Sequence, residues 1–142
     1  MILPDVNVLV YALRKDSEAH ESYHRWLRSA LNVDEVLLIA DIVLNSVVRI
    51  VTNPRIYMKP STFEETFEFC DRILDAKNTV RISPGPRHWS LFCGYCKLIH
   101  PQGSLVTDSY LAGLAAENDA ELISTDSDFS KYPGLRYKHP LG

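Results

Sequence analysis

The apolar residues of this chain alternate between short continuous runs and longer stretches with helical spacing. Ile2-Leu3 is the first short run and leads directly into Asp5. Val36-Leu37-Leu38-Ile39-Ala40 is the second, an all-apolar segment suited to a buried parallel strand. Thr79 to Ile82 and Ala120 to Ser124 complete the set, and Thr125-Asp126-Ser127-Asp128-Phe129 closes the last. Between these runs the apolar positions recur at the period of a helix. The spacing predicts helices over Asn7 to Leu13, Ser17 to Leu31, Asp41 to Thr52, Phe63 to Ala76, His88 to Ile99 and Ser104 to Asn118. Ser17, Asp41 and Ser61 or Thr62 are the expected N-caps. Asn53-Pro54 ends the third helix, because the residue before proline disfavours helical dihedrals. On the fourth, Phe63, Phe67, Cys70, Ile73 and Leu74 are expected to share one side. The tail from Tyr132 to Tyr137 reads as a turn and an edge strand.

Helices alternating with short apolar strands predict an α/β domain with a mostly parallel sheet covered on both faces. Such sheets put their ligand sites at the carboxyl ends of strands. Asp5 and Asp126 each follow a predicted strand directly, and Asp108 lies near the start of a helix.

Length and composition narrow the class. The 142 residues suit one domain, residues 1–142, with a core large enough to need no disulfide or structural metal. The net charge of -3 does not advertise a nucleic-acid binder. It does not exclude one either, since carboxylates that hold a cation count against the total while the cation reverses the local field. Three cysteines, Cys70, Cys93 and Cys96, argue against a disulfide framework. Asp5 interrupts the N-terminal apolar stretch, which therefore does not read as a secretory signal. Asp41 interrupts the run from Val36 to Leu44, far short of the roughly 20 residues that span a bilayer. The expectation is a cytoplasmic, reduced protein with no membrane association.

The acids carry the candidate chemistry. If Asp5, Asp108, Asp126 and Asp128 converge, several negative charges share one cleft and demand a cation. An all-oxygen donor set selects a hard ion such as Mg²⁺ or Mn²⁺. Such an ion polarises a phosphoryl oxygen, acidifies water and orients an in-line attack on a phosphodiester. The alternatives are structural: Asp108 as a helix cap, and Thr125-Asp126-Ser127-Asp128 as an Asx-type turn. Asp5 resists that reading, because an acid at the end of an apolar strand is costly without a partner. Cys93 and Cys96 fall inside one predicted helix and are read as packing residues. His20 and His24 have zinc-like i,i+4 spacing but no accompanying acid–histidine signature, and are read as a surface pair.

The same segments resemble the PIN-domain family, and within it the VapC-type toxins of toxin–antitoxin pairs, over nearly the whole chain. Leu3-Pro4-Asp5-Val6-Asn7-Val8-Leu9-Val10-Tyr11-Ala12 is similar to the family's first acidic motif. Val47-Val48-Arg49-Ile50-Val51-Thr52-Asn53-Pro54-Arg55 resembles a signature of one branch. Thr107-Asp108-Ser109-Tyr110-Leu111-Ala112-Gly113-Leu114-Ala115 and the stretch from Ala120 to Phe129, with Pro133-Gly134-Leu135 after it, resemble the later motifs. The resemblance implies a three-layer α/β/α sandwich and an endoribonuclease activity dependent on Mg²⁺ or Mn²⁺. It implies Asp5, Asp108 and Asp126 as the metal-binding acids and Asp128 as an auxiliary acid nearer solvent. Asn7 and Thr125 would hold the carboxylates by hydrogen bonds. From the residues themselves, Arg49, one helical turn from Ser46, is expected either to contact phosphate or to pair with a site carboxylate. The implied partners are an RNA substrate, a small antitoxin and a second copy in a homodimer. One departure stands out: where many members carry a glutamate three residues before the arginine, this chain has Ser46, which brings a hydroxyl and no charge. A nuclease acting on DNA or in RNA processing, and a non-catalytic binding module on the same fold, are the rival readings.

Overall fold

The computed structural model describes all 142 residues, Met1–Gly142. The chain runs β1 (Ile2–Pro4), α1 (Val6–Leu13), α2 (His20–Ala30), β2 (Leu37–Ala40), α3 (Asp41–Val51), α4 (Phe63–Leu74), β3 (Thr79–Ile82), α5 (His88–Ile99), α6 (Leu105–Glu117), β4 (Glu121–Ile123), a 3-10 turn (Ser127–Lys131) and β5 (Tyr137–Lys138). The five strands form one sheet in the order β3-β2-β1-β4-β5, and every pairing is parallel. The tail read as an edge strand does close the sheet, with Leu122 opposite Tyr137 and Ile123 opposite Lys138.

Parallel strands need crossovers, and crossovers are right-handed. From β1 the chain steps through β2 to β3 in one direction, so α1 to α4 lie on one face. From β3 it returns past β1 to β4, which puts α5 and α6 on the other. The packing agrees: α1 meets α2 and α3, α3 meets α4, and α5 and α6 pack on each other. Both faces of the sheet are thus covered, and β1 and β2 are buried along their whole length. Leu3, Leu37, Ile39, Leu122, Val8, Val43 and Val47 are among the fully buried side chains at its centre.

Local chemistry explains the boundaries. Thr62 caps α4 by accepting from the Glu65 N–H at 3.0 Å, as its position before an apolar-periodic stretch predicts. Asp41 is not a cap. It is the first residue of α3, and its carboxylate pairs with Arg81 of β3 at 2.5 Å. Ser17 does not open α2, which starts at His20 after Ala19 turns through a left-handed conformation. The buried side of α4 is Thr66, Cys70 and Ile73, whereas Phe63 and Phe67 are more than half exposed and lie against each other. Phe67 is rotated about 100° from Thr66 around the helix axis, so the two cannot share the inward stripe.

Three contacts fix α6 against α5 and the turn before it. Glu117, at the end of α6, accepts the backbone N–H groups of Gly85 and Arg87 at 2.8 and 2.9 Å, in the turn that opens α5. Farther along, a Cβ on Gly113 would lie 3.1 Å from the His88 ring, so the absence of a side chain there lets the helices approach. His88 Nε2 donates to the Tyr110 carbonyl at 2.9 Å; the carbonyl can only accept, so Nε2 carries the hydrogen.

Because β1 is the central strand, Leu3→Ala should cost about 2–5 kcal/mol, lowering the urea midpoint without changing the slope. Leu98→Ala, at an exposed position of α5, should stay within about 0.5 kcal/mol of the parent. Equilibrium urea unfolding of both variants checks this.

Candidate functional site

The sheet order contains one switch point. The chain leaves β1 toward β2 on one side, while β4 pairs on the other, and crevices form at the carboxyl ends of such strands. Asp5 follows β1 and Asp126 lies just beyond β4, in a cleft of about 340 Å³. Asp108 reaches the same cleft from the first turn of α6, and Ser46 and Arg49 reach it from α3. The register accounts for the meeting of the first two acids: Pro4 stands opposite Ile123, so the residues that follow each strand emerge side by side.

One hydroxyl ties them together. Ser124, fully buried, donates to Asp5 Oδ2 at 2.8 Å and accepts from the Asp126 N–H at 3.0 Å. The other oxygen of Asp5 accepts from the Val6 N–H at 2.7 Å, so the same carboxylate caps α1. Asp126 in turn caps the 3-10 turn by accepting from the Asp128 N–H at 2.9 Å. The role assigned by resemblance to Asn7 and Thr125 is therefore filled otherwise. Asn7 is exposed on the cleft wall, Thr125 is half-buried, and neither side chain hydrogen bonds to a carboxylate. The physical reason is the alternation beyond a strand: Ser124 turns inward toward β1, and Thr125 turns away. The same alternation, counted from Ile123, is the signal that could have found Ser124.

The remaining side chains differ in their commitments. Ser46 is buried and lines the cleft, and its hydroxyl makes no hydrogen bond. Arg49 is exposed and forms no ion pair. Asp128 lies outside the cleft lining, exposed, and pairs with Lys131 at 2.8 Å.

The electrostatics are those of crowded like charges. Burial raises the Asp108 carboxyl from its ordinary 3.8 to about 6, with the charges of Asp5, Asp126 and Asp128 adding to it. Asp5 is also raised, first by burial and further by Asp126, against the opposing pull of its bonds from Ser124 and Val6. Carboxylate and hydroxyl oxygens are the donors, which fits a hard divalent ion. No three His, Cys, Asp or Glu side chains stand close enough to hold one ion between them. The residues thus suit an ion that takes one or two carboxylates directly and keeps water at its other positions, as Mg²⁺ does.

The sequence matches the PIN domain family over residues 2–135, and the chain belongs to that family. It is 38% identical over 141 residues to the VapC ribonuclease Mb2897 of Mycobacterium bovis, covering 99% of this chain and 96% of that one. It is 32% identical over 140 residues to ribonuclease VapC25 of Mycobacterium tuberculosis, covering 99% of both. Among solved structures, VapBC-1 from nontypeable Haemophilus influenzae superposes with a TM-score of 0.72 at 12% identity, covering 100% of both chains. VapBC2 from Rickettsia felis, bound to a DNA fragment from its promoter, gives 0.71 at 20% identity and 98% of both. The expected α/β/α fold is therefore the observed one.

Two outcomes follow from the charge crowding. A carboxyl raised above its unfolded value favours folding while protonated, and that advantage is lost as pH rises from 3.8 through about 6. The elevation of Asp108 is worth at most about 3 kcal/mol; because the group is partly exposed, screening leaves roughly 1 kcal/mol. Asp108→Asn in chelator should therefore raise the melting temperature by roughly 3 °C at pH 7.5 and leave it unchanged at pH 3.5, as read by calorimetry. Ser124→Ala should do the opposite at neutral pH, costing about 1.5–3 kcal/mol by stripping a bond from a buried carboxylate. That loss should shrink in acid, where Asp5 is protonated, as urea unfolding at several pH values would register.

Proposed function

We propose that this protein is a divalent-metal-dependent endoribonuclease that cleaves RNA phosphodiesters and serves as the toxin of a toxin–antitoxin pair. The observation that carries this reading is the meeting of Asp5, Asp108 and Asp126 in one cleft at the switch point of the sheet. The family membership and the relatives named as ribonucleases support it. So does the neighbour described as a sarcin-ricin loop cleaving toxin, Mycobacterium tuberculosis VapC20, whose fold matches with a TM-score of 0.67 at 11% identity.

In this reading Asp5, Asp108 and Asp126 would hold Mg²⁺ or Mn²⁺, one or two of them directly and the rest through its water, and the family's usual glutamate is replaced by the uncharged hydroxyl of Ser46. Such an ion supplies Lewis acidity toward a phosphoryl oxygen and lowers the pKa of water. Ser124 and the Val6 N–H fix both oxygens of Asp5, which sets the direction in which that carboxylate faces the cleft. Arg49, unpaired on the same wall, meets a non-bridging phosphate oxygen and positions the RNA backbone without reading sequence. Ser46 would orient water by its free hydroxyl, and Asp128, outside the cleft lining, would assist as an auxiliary acid nearer solvent through its charge. The substrate is structured RNA that presents a single-stranded loop, because unstacked bases are the ones a protein can read. A small antitoxin that covers the cleft and a homodimeric state complete the proposal.

Purified protein with Mn²⁺ or Mg²⁺ should produce discrete new ends in total RNA, mapped by sequencing. Those ends should disappear with EDTA and fall by roughly a hundredfold or more in Asp108→Asn. Absence of new ends with every RNA pool would favour a binding module on a PIN fold. Cleavage confined to duplex stems would overturn the assignment to loops.

A further inference from the structure

Ser124 joins Asp5 to Asp126, but the Asp108 carboxylate accepts no hydrogen bond, so its placement rests on that of its helix. A second buried hydroxyl contact bears on that placement. Ser109, the residue after Asp108 in α6, is fully buried. Its Oγ lies 2.8 Å from the phenolic oxygen of Tyr132, which ends the 3-10 turn that Asp126 caps. Successive helix residues stand about 100° apart around the axis, so Asp108 lines the cleft while Ser109 turns into the protein.

Tyr132 is held on its other sides by aromatic rings. Its centroid is 5.1 Å from that of Tyr95 of α5, edge-on, and 5.7 Å from that of Phe129 within the turn. The Tyr95 hydroxyl donates to the Pro133 carbonyl at 3.1 Å, one residue further along. Tyr95 thus anchors the end of the turn to α5, and Ser109 anchors it to α6 beside Asp108. Burial raises the Tyr132 phenol, and the charges of Asp108 and Asp126 add to the rise against the pull of its bond with Ser109, as expected of a hydroxyl near both carboxylates.

The pair is not needed to fill space. Replacing both members of a buried hydrogen bond by apolar groups of the same shape is close to neutral for stability. What two buried hydroxyls add is specificity of arrangement, because each is satisfied only while α6 and the turn keep this relative position.

We infer that the Ser109–Tyr132 hydroxyl pair is a positioning device that fixes Asp108 against Asp126, and that with Ser124 it completes the ties among the three acids. The inference rests on the reading of those acids as the working site.

Ser109→Ala, Tyr132→Phe and the two combined test it. Ser109→Ala strands a buried phenol and should melt several degrees below the parent. The double variant strands nothing and should melt within about 2 °C of the parent, which separates placement from stability. The Phe129 and Tyr132 amides bond within the turn. In the double variant, with chelator present, their hydrogen exchange and that of Ser109 should be at least about tenfold faster than in the parent, with the amides of β1 and β2 unchanged. Titration with Mn²⁺, the free ion read by electron paramagnetic resonance, should show binding at least about tenfold weaker. Parent-like stability accompanied by parent-like exchange at these amides, or by parent-like Mn²⁺ affinity, would overturn the inference. A parent chain that binds no Mn²⁺, or Asp108→Asn binding it as tightly as the parent, would overturn the metal reading instead, and the exchange comparison then decides the inference alone. If the double variant melts low, Tyr132→Phe carries the same comparisons, because the Ser109 hydroxyl can turn back to a carbonyl of its own helix.

Discussion

The repulsion among carboxylates that the fold forces together is the constraint on which the rest of this structure turns. Parallel pairing of β1 with β4 delivers Asp5 and Asp126 side by side, and α6 adds Asp108. A cluster of this kind costs free energy in the absence of a cation, and it persists because the surrounding structure over-determines it. Buried β1 and helix α1 fix the chain before and after Asp5, and β4 fixes it before Ser124. Ser124 bridges the two acids, and each acid also caps the turn or helix that follows it. The capping bonds do two things at once. They satisfy helix N–H groups that would otherwise be orphaned, and they offset part of the desolvation of the carboxylates.

The third acid depends on the other face of the sheet. Asp108 is only as well placed as α6, and α6 is held on α5 and the turn before it by the Glu117 carboxylate at its far end, the close approach at Gly113 and the hydrogen bond from His88 to the Tyr110 carbonyl. The long α5–α6 excursion between β3 and β4 is thus a positioning arm for one side chain. Arg49 and Ser46 come from the opposite layer. The cleft consequently samples both helical layers and the sheet, and no single element carries it.

Much of this was legible in the sequence. The boundaries of β3 and α5 coincide with the residues where the pattern changes, and β2, α3 and α6 differ from expectation only by end residues. Asp5 stood out because an acid at the end of an apolar strand needs a reason to be there. What the pattern could not supply was orientation. Phe63 and Phe67 were expected on one side with Cys70 and Ile73, yet it is Thr66 that is buried beside those two. The hydroxyl that organises the acids is Ser124 rather than Thr125, a one-residue difference that reverses the side of the chain on which a side chain emerges. Asp41 was a plausible cap by residue type, but its long-range partner Arg81 is invisible to local reasoning. Convergence of Asp5 with Asp108 and Asp126 is likewise a property of topology, and became predictable only through the resemblance of whole motifs.

The sheet order has a consequence for the time course of synthesis. The bond from Ser124 to Asp5 spans 119 positions, and the central strand gains its β4 neighbour only after β2, β3 and all six α-helices have been made. Closing so long a loop is slow relative to local helix formation. A nascent chain can assemble β2 and β3 beside β1 and still lack the edge that brings the acids together. For a protein whose proposed action is to cut RNA, the ribosome that makes it is itself within reach, and this topology withholds the assembled cleft until the segment carrying Ser124 and Asp126 has emerged from the exit tunnel.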